Sequence, residues 1–146
     1  MVFPAKIRNR MIIPLLLAFS TIASNAYAEV VVIVSAKSSI MHLTAEQTAR
    51  IFLGKTSSFP DDRDAVPIDQ AVGSNIRDEF YSKVVHKSSP QVSAYWAKAI
   101  FTGDGRPPEI LEGNAAVRKA VANNLHAIGY IDKSAVDKSV RIVLDP

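Results

Sequence analysis

Residues 30–34 read Val30-Val31-Val32-Ile33-Val34. Five β-branched apolar residues in a row do not alternate with polar ones, so the segment predicts a strand buried on both faces within a layered α/β domain. Downstream, Thr44 can N-cap a helix with Gln47 as its capping-box partner. Ala45, Thr48, Ala49, Phe52 and Leu53 line one face of that helix before Gly54 stops it. The polar stretch from Lys55 to Asp64 reads as loop, and Ala65 to Asp69 as a short strand in which Pro67 implies an edge or a terminus. A second helix is expected from Ser74 to Val85, burying Ile76, Phe80 and Val84. A third is expected to be capped by Ser89 with Pro90 at its first position, burying Val92, Tyr95, Trp96, Ala99 and Ile100. Gly103 to Pro108 is loop, and Asn114 to Val121 a fourth helix with Val117, Ala120 and Val121 inward. Ala127 to Ile131 and Val140 to Leu144 close the pattern as strands. Strands alternating with helices imply a mixed sheet covered by helices on both faces.

The chain has 146 residues with 17 Lys plus Arg against 14 Asp plus Glu, a formal charge of +3. Lys6, Arg8 and Arg10 supply the whole excess. They precede an apolar stretch from Met11 to Phe19 and the small-residue triplet Ala26-Tyr27-Ala28, the order of an export signal cleaved after Ala28. A membrane anchor is the competing reading, but Pro14, Ser20 and Thr21 interrupt the run short of the roughly 18 to 20 residues needed to span. The expected product is a single domain over residues 29–146, periplasmic, with no stable membrane anchor. Its charges balance, which leaves no basic surface to follow a nucleic acid. With no Cys there is no disulfide and no lipid-modified cysteine, so the core must hold the fold. Of the 118 residues after Ala28, 52 are apolar, enough for that core.

Little in the chain points to catalysis. His42, His86 and His126 are far apart in sequence and lack neighbouring carboxylates at ligand spacing, which predicts surface histidines rather than a metal centre. Asp61, Asp62 and Asp64 lack the Gly and distal Glu of a calcium loop and read as a solvated loop. No nucleophile elbow, P-loop, zinc-protease or dinucleotide motif occurs, so the expectation is a nonenzymatic protein without cofactor or metal.

The turn Asp69-Gln70-Ala71-Val72-Gly73-Ser74-Asn75-Ile76-Arg77 follows a strand and opens a helix. Such a turn presents free backbone N–H groups and the positive end of a helix dipole, both suited to an anion. Arg77, three residues past the Ser74 cap, is then expected to be exposed and to supply counter-charge at the mouth. The alternative reading is that Ser74 only caps the helix while Arg77 pairs with Asp69, Asp78 or another exposed carboxylate, for at most about 1 kcal/mol.

Three blocks extend this reading: Ile51-Phe52-Leu53-Gly54-Lys55, then Gly73-Ser74 with Arg77-Asp78-Glu79-Phe80-Tyr81, then Ala127-Ile128-Gly129-Tyr130-Ile131-Asp132. Their order and spacing resemble the phosphate-binding proteins of bacterial phosphate ABC transporters. The likeness is to the second lobe of their two-lobed type 2 periplasmic-binding fold and runs from about Val30 to Leu144. It implies oxyanion capture at the turn, where the family reads Arg-x-Asp-Gly-Ser-Gly-Thr. Aligned on Gly73 and Ser74, the family arginine falls on Gln70, the aspartate on Val72, the second glycine on Asn75 and the threonine on Ile76. The expected ligand site is Gly73, Ser74, Asn75, Ile76 and Arg77, with phosphate or a similar oxyanion as ligand and an ABC transporter permease or other periplasmic protein as partner. A homodimer is a further expectation. The alternative is an interaction module that keeps the lobe as scaffold after losing ligand binding.

Overall fold

The computed structural model describes Val2, Pro4 and residues 27–146; most of the expected export signal lies outside these residues. The first strand, β1 (Val30–Ser35), is buried at every position. Its side chains divide between two cores, Val30, Val32 and Val34 facing one and Val31 and Ile33 the other. The uninterrupted apolar run thus has the cause inferred for it, a layer on each side of the sheet.

In chain order there follow α1 (Ala45–Phe52), β2 (Val66–Gln70), α2 (Asn75–Phe80), a π-helical segment (Tyr81–Val85), α3 (Ser89–Thr102), β3 (Glu109–Leu111), α4 (Asn114–Ala122), β4 (Ala127–Asp132) and β5 (Val140–Leu144). The five strands form one mixed sheet in the order β3-β2-β4-β1-β5. β2 runs parallel to β3 and β4, whereas β1 runs antiparallel to β4 and β5. Residues of α1, α2 and α3 build the larger core on one face, and Val117 and Val121 of α4 build the smaller on the other.

Local chemistry explains the boundaries. Thr44 and Gln47 form the expected capping box on α1, and Gly54 follows with φ +67. Pro67 pairs with Ile128 of β4 while β3 begins only opposite Ile68, so the missing N–H of Pro67 faces no strand.

Four expectations need correction. The helix expected from Ser74 to Val85 changes to π-helical hydrogen bonding at Tyr81 and ends at His86, whose φ is +58. Its buried face, Ile76, Phe80 and Val84, is nevertheless the one expected. α3 is capped by Ser88, because the Ser88 N–H donates to Gln91 Oε1 at 2.8 Å and Gln91 N–H returns to Ser88 Oγ. Ile100 is exposed, because α3 packs its Val92 and Trp96 inward and then runs past the core. The short strand β3 lies where only loop was expected, since three residues are too few to show a period.

β4 carries Gly129, where a Cβ would stand 2.7 Å from Val117 Cγ1 and 3.1 Å from Val121 Cγ2. The missing side chain lets α4 lie directly on the sheet. Gly129→Ala is expected to lower stability by about 1 to 3 kcal/mol, the usual cost of overpacking, in urea denaturation. An unchanged midpoint would mean that α4 can shift freely on β4.

Candidate functional site

The turn joins the carboxyl end of β2 to α2, an edge of an α/β sheet where ligands commonly bind. Asp69, near the end of β2, is buried at 2% exposure. Tyr81 OH donates to its Oδ2 at 2.7 Å, Tyr130 OH donates closely to Oδ1, and the Gln70 N–H donates to Oδ1 at 2.8 Å. Arg77 Nε lies 3.4 Å from the same Oδ1. One carboxylate therefore gathers β2, α2, the π-helical segment and β4. Phe80 stacks on Tyr130 with centroids 4.0 Å apart, and Phe52 packs on Phe80 at 4.6 Å, which seals the network from below.

Arg77 is 4% exposed, contrary to the expected position at the mouth. Its guanidinium reaches inward to Asp69, lies over the Tyr81 ring at 4.8 Å, and approaches Ser89 Oγ through Nη1 at 3.5 Å. The physical reason is that Asp69 is a buried anion and a neighbouring cation offsets its desolvation. Of the pairings considered from sequence, the structure contains the one with Asp69, and it is buried rather than exposed.

The other four expected site residues lie together at the turn. Gly73 has φ +87 and no heavy atom within 4 Å of the place a Cβ would occupy. Ser74 caps α2 by accepting the Arg77 N–H at 3.4 Å, which leaves its hydroxyl hydrogen free to donate. Asn75 is exposed, Ile76 buries its side chain, and both open α2, where helical geometry leaves N–H groups without intrahelical partners. Gln70, aligned with the family arginine, is buried and donates from Nε2 to Tyr130 O at 2.8 Å and Asn114 Oδ1 at 3.1 Å. It is a strut between β4 and α4 and does not face the turn's outer side. Val72, aligned with the family aspartate, is 62% exposed.

Sequence reading missed the roles of Tyr130 and Asn114, which lie far along the chain and carry no local signal. Tyr81 was visible only as a residue of the helix, and Asp69 only as an exposed partner for Arg77 and not as a buried hub. His42, His86 and His126 are all exposed. Among the described residues no helix is long and apolar enough to cross a membrane.

No protein-family model and no curated protein matches this sequence. Solved structures do match. A protein from Clostridium perfringens assigned as a phosphate ABC transporter substrate-binding protein, and solved with bound phosphate, superposes with a TM-score of 0.64 at 26% identity over 80% of this chain and 44% of its own. An ABC-type phosphate transport receptor from Vibrio cholerae gives a TM-score of 0.62 at 20% identity over 80% of this chain and 45% of its own. PstS from Borrelia burgdorferi gives 0.58 at 20% over 80% and 46%. This chain thus spans less than half the length of these proteins. It is a structural relative of the phosphate ABC transporter substrate-binding proteins and has the α/β fold of one of their lobes.

Two measurements test the network. Arg77→Ala leaves the Asp69 carboxylate buried without its cation and is expected to cost about 3 kcal/mol or more in urea denaturation, against about 1 for an exposed pair. Burial first, and the Asp69 charge second, push the ionisation of Tyr81 and Tyr130 far above the ordinary tyrosine range. An unfolded tyrosine releases its proton near pH 10, so above that pH the folded state holds more protons and stability falls as pH rises. The fall should approach about 1.4 kcal/mol per pH unit for each of the two tyrosines, and Tyr130→Phe should roughly halve the slope. A flat profile from neutral to alkaline pH would contradict the buried network.

Proposed function

We propose that this chain is an exported, noncatalytic oxyanion-binding protein related to ABC-transporter substrate-binding proteins, with phosphate as the first candidate ligand. The observation that carries the reading is the superposition on a structure that holds phosphate, at 26% identity over 80% of this chain. The turn adds chemistry that suits an anion. Ser74 offers its hydroxyl hydrogen and Asn75 and Ile76 their backbone N–H groups beside the unobstructed Gly73, and each can donate to an oxyanion oxygen. Arg77 supports the turn from beneath, through the backbone N–H that holds Ser74 Oγ.

Residues 1–28 act as the cleaved export signal in this reading, leaving residues 29–146 as one periplasmic domain. Glu29, the first residue after that cut, is already anchored: its carbonyl accepts the Lys133 N–H at 2.8 Å and its carboxylate meets Lys133 Nζ at 3.1 Å. The partner is an ABC transporter permease or another periplasmic protein, and in a homodimer the second copy would supply a second wall for the anion.

A second reading is favoured by one observation. The positive charge nearest the turn is taken up by Asp69, and Gln70 and Val72 stand where the family has charged residues. On that basis the lobe serves as a protein interaction module without a ligand.

Thermal unfolding of residues 29–146 at constant ionic strength separates the two. Phosphate at about 100 times its dissociation constant should stabilise by about 2.7 kcal/mol, a shift of several degrees. Asn75→Pro deletes one donor at a helix position that accepts proline, and should remove most of the phosphate shift while leaving the ligand-free midpoint within a few degrees. Equal small responses to phosphate, sulfate and chloride would reject the anion site and leave the interaction module.

A further inference from the structure

Glu29 stands immediately before a strand on which the whole sheet relies. β1 lies between β4 and β5, and its first residue, Val30, pairs with Asp132, the last residue of β4. One step earlier, the Glu29 carbonyl accepts the Lys133 N–H at 2.8 Å. In an antiparallel ladder a residue bonded in this way directs its own N–H to the same neighbour. β4 has ended there and Lys133 begins a 3₁₀ turn, so the Glu29 N–H meets the Asp132 carboxylate. The Ser134 N–H and hydroxyl both donate to Asp132 Oδ1, at 2.9 and 2.6 Å, which leaves Oδ2 for another donor. Hydrogen bonds from Ser134 first, and from the Glu29 N–H after it, hold the Asp132 carboxyl below the ordinary carboxylate range against the opposing effect of partial burial.

The charges that face this point come from both neighbouring strands. Asp132 ends β4 and Lys133 follows it, Asp145 follows β5, and Glu29 adds its own carboxylate. Lys133 Nζ is held between Glu29 Oε1 at 3.1 Å and Asp145 Oδ2 at 2.8 Å. The three carboxylates of Glu29, Asp132 and Asp145 thus surround one ammonium, an imbalance that a second cation would offset.

We propose that Asp132 receives the amino terminus created by export processing, so that the cut after Ala28 turns an amide hydrogen bond into an ion pair fastening β1 to β4. The inference rests on the export reading above. In the unprocessed chain the Glu29 nitrogen is a neutral amide. Hydrolysis adds one water across the Ala28–Glu29 bond, leaving a carboxylate on Ala28 while the proton of that acid passes to the Glu29 amine. The same nitrogen then carries an ammonium charge opposite Asp132, and charge-assisted bonds of this kind are stronger than neutral ones. Processing thereby tightens the domain at the strand shared by both cores. An ammonium paired in the fold titrates above its unfolded value of about 8, so the gain is complete below that pH and is lost as pH rises through the folded value.

Residues 29–146 with a free amino terminus would be compared with the same chain acetylated at that nitrogen. Acetylation isolates the charge, whereas an extension would also restore Ala28, which packs on the larger core. Below about pH 7 the free form should unfold about 1 to 4 °C above the acetylated form, the size expected of one partly exposed ion pair. The gap should close at about pH 10, where both termini are neutral, and the loss of stability from Tyr81 and Tyr130 is common to both forms. Asp132→Asn should abolish the gap below about pH 7. The Glu29 amine, followed by NMR, should titrate above about 8 in the native chain and move back toward that value in Asp132→Asn. Equal midpoints for the free and acetylated forms, or a gap that survives Asp132→Asn, would overturn the pairing. Mass spectrometry of the exported protein checks the cut separately. A mature chain that does not begin at Glu29 would overturn the export reading and the maturation step with it, whereas equal midpoints with the cut at Ala28 would overturn this inference alone.

Discussion

Everything near the turn depends on the carboxylate of Asp69. A buried anion at the end of a strand is unfavourable unless donors and a counter-charge surround it, and here they come from three other parts of the chain. Tyr81 donates from the π-helical segment and Tyr130 from β4, while Arg77 of α2 adds its charge at ion-pair distance. Because each donor must reach the same two oxygens, the ends of β2 and β4 and the start of α2 have little freedom relative to one another. The outer surface of that junction is the turn Gly73–Ile76. Its open N–H groups are thus fixed by a network that contains no group free to touch a ligand.

That arrangement accounts for the position of Arg77. A helix N-terminus is a poor place for a cation that faces water, and at the surface Arg77 would need an external anion to make it favourable. Inside, the anion is internal. The same guanidinium that looks from sequence like a ligand group is a positioning residue, and its backbone N–H rather than its charge serves the Ser74 cap. Gln70 follows the same logic: at the position of the family arginine, it turns its amide to Tyr130 O and Asn114 Oδ1 and ties β4 to α4.

The fold was legible where a signal is local and repeated. Val30 to Val34 announced a strand covered on both faces, the Thr44 and Gln47 pair announced the start of α1, and the spacing of Ile76, Phe80 and Val84 announced the buried side of the second helix. What was not legible depends on partners distant in sequence. The burial of Arg77 requires Asp69 to be inside, which in turn requires Tyr130, 61 residues further on. The change to π-helical geometry at Tyr81 brings that hydroxyl to Asp69 and leaves no mark in hydrophobic spacing. β3 is held by pairing with β2 and not by any pattern of its own.

The relation to longer transporter proteins then has a physical consequence for any anion held at the turn. The matched relatives are more than twice the matched length, and the turn of this chain lies at a surface that would form one side of an anion site. Hydrogen bonds from N–H groups at a water-exposed wall compete with solvent and contribute little net affinity, whereas the same donors in a closed, dry space contribute far more. Removing a full positive charge from the wall, as the Asp69 pair does for Arg77, sharpens this dependence on closure. Selectivity at such a site belongs to the enclosed state, and the rigid turn contributes the geometry in which a second surface can complete it.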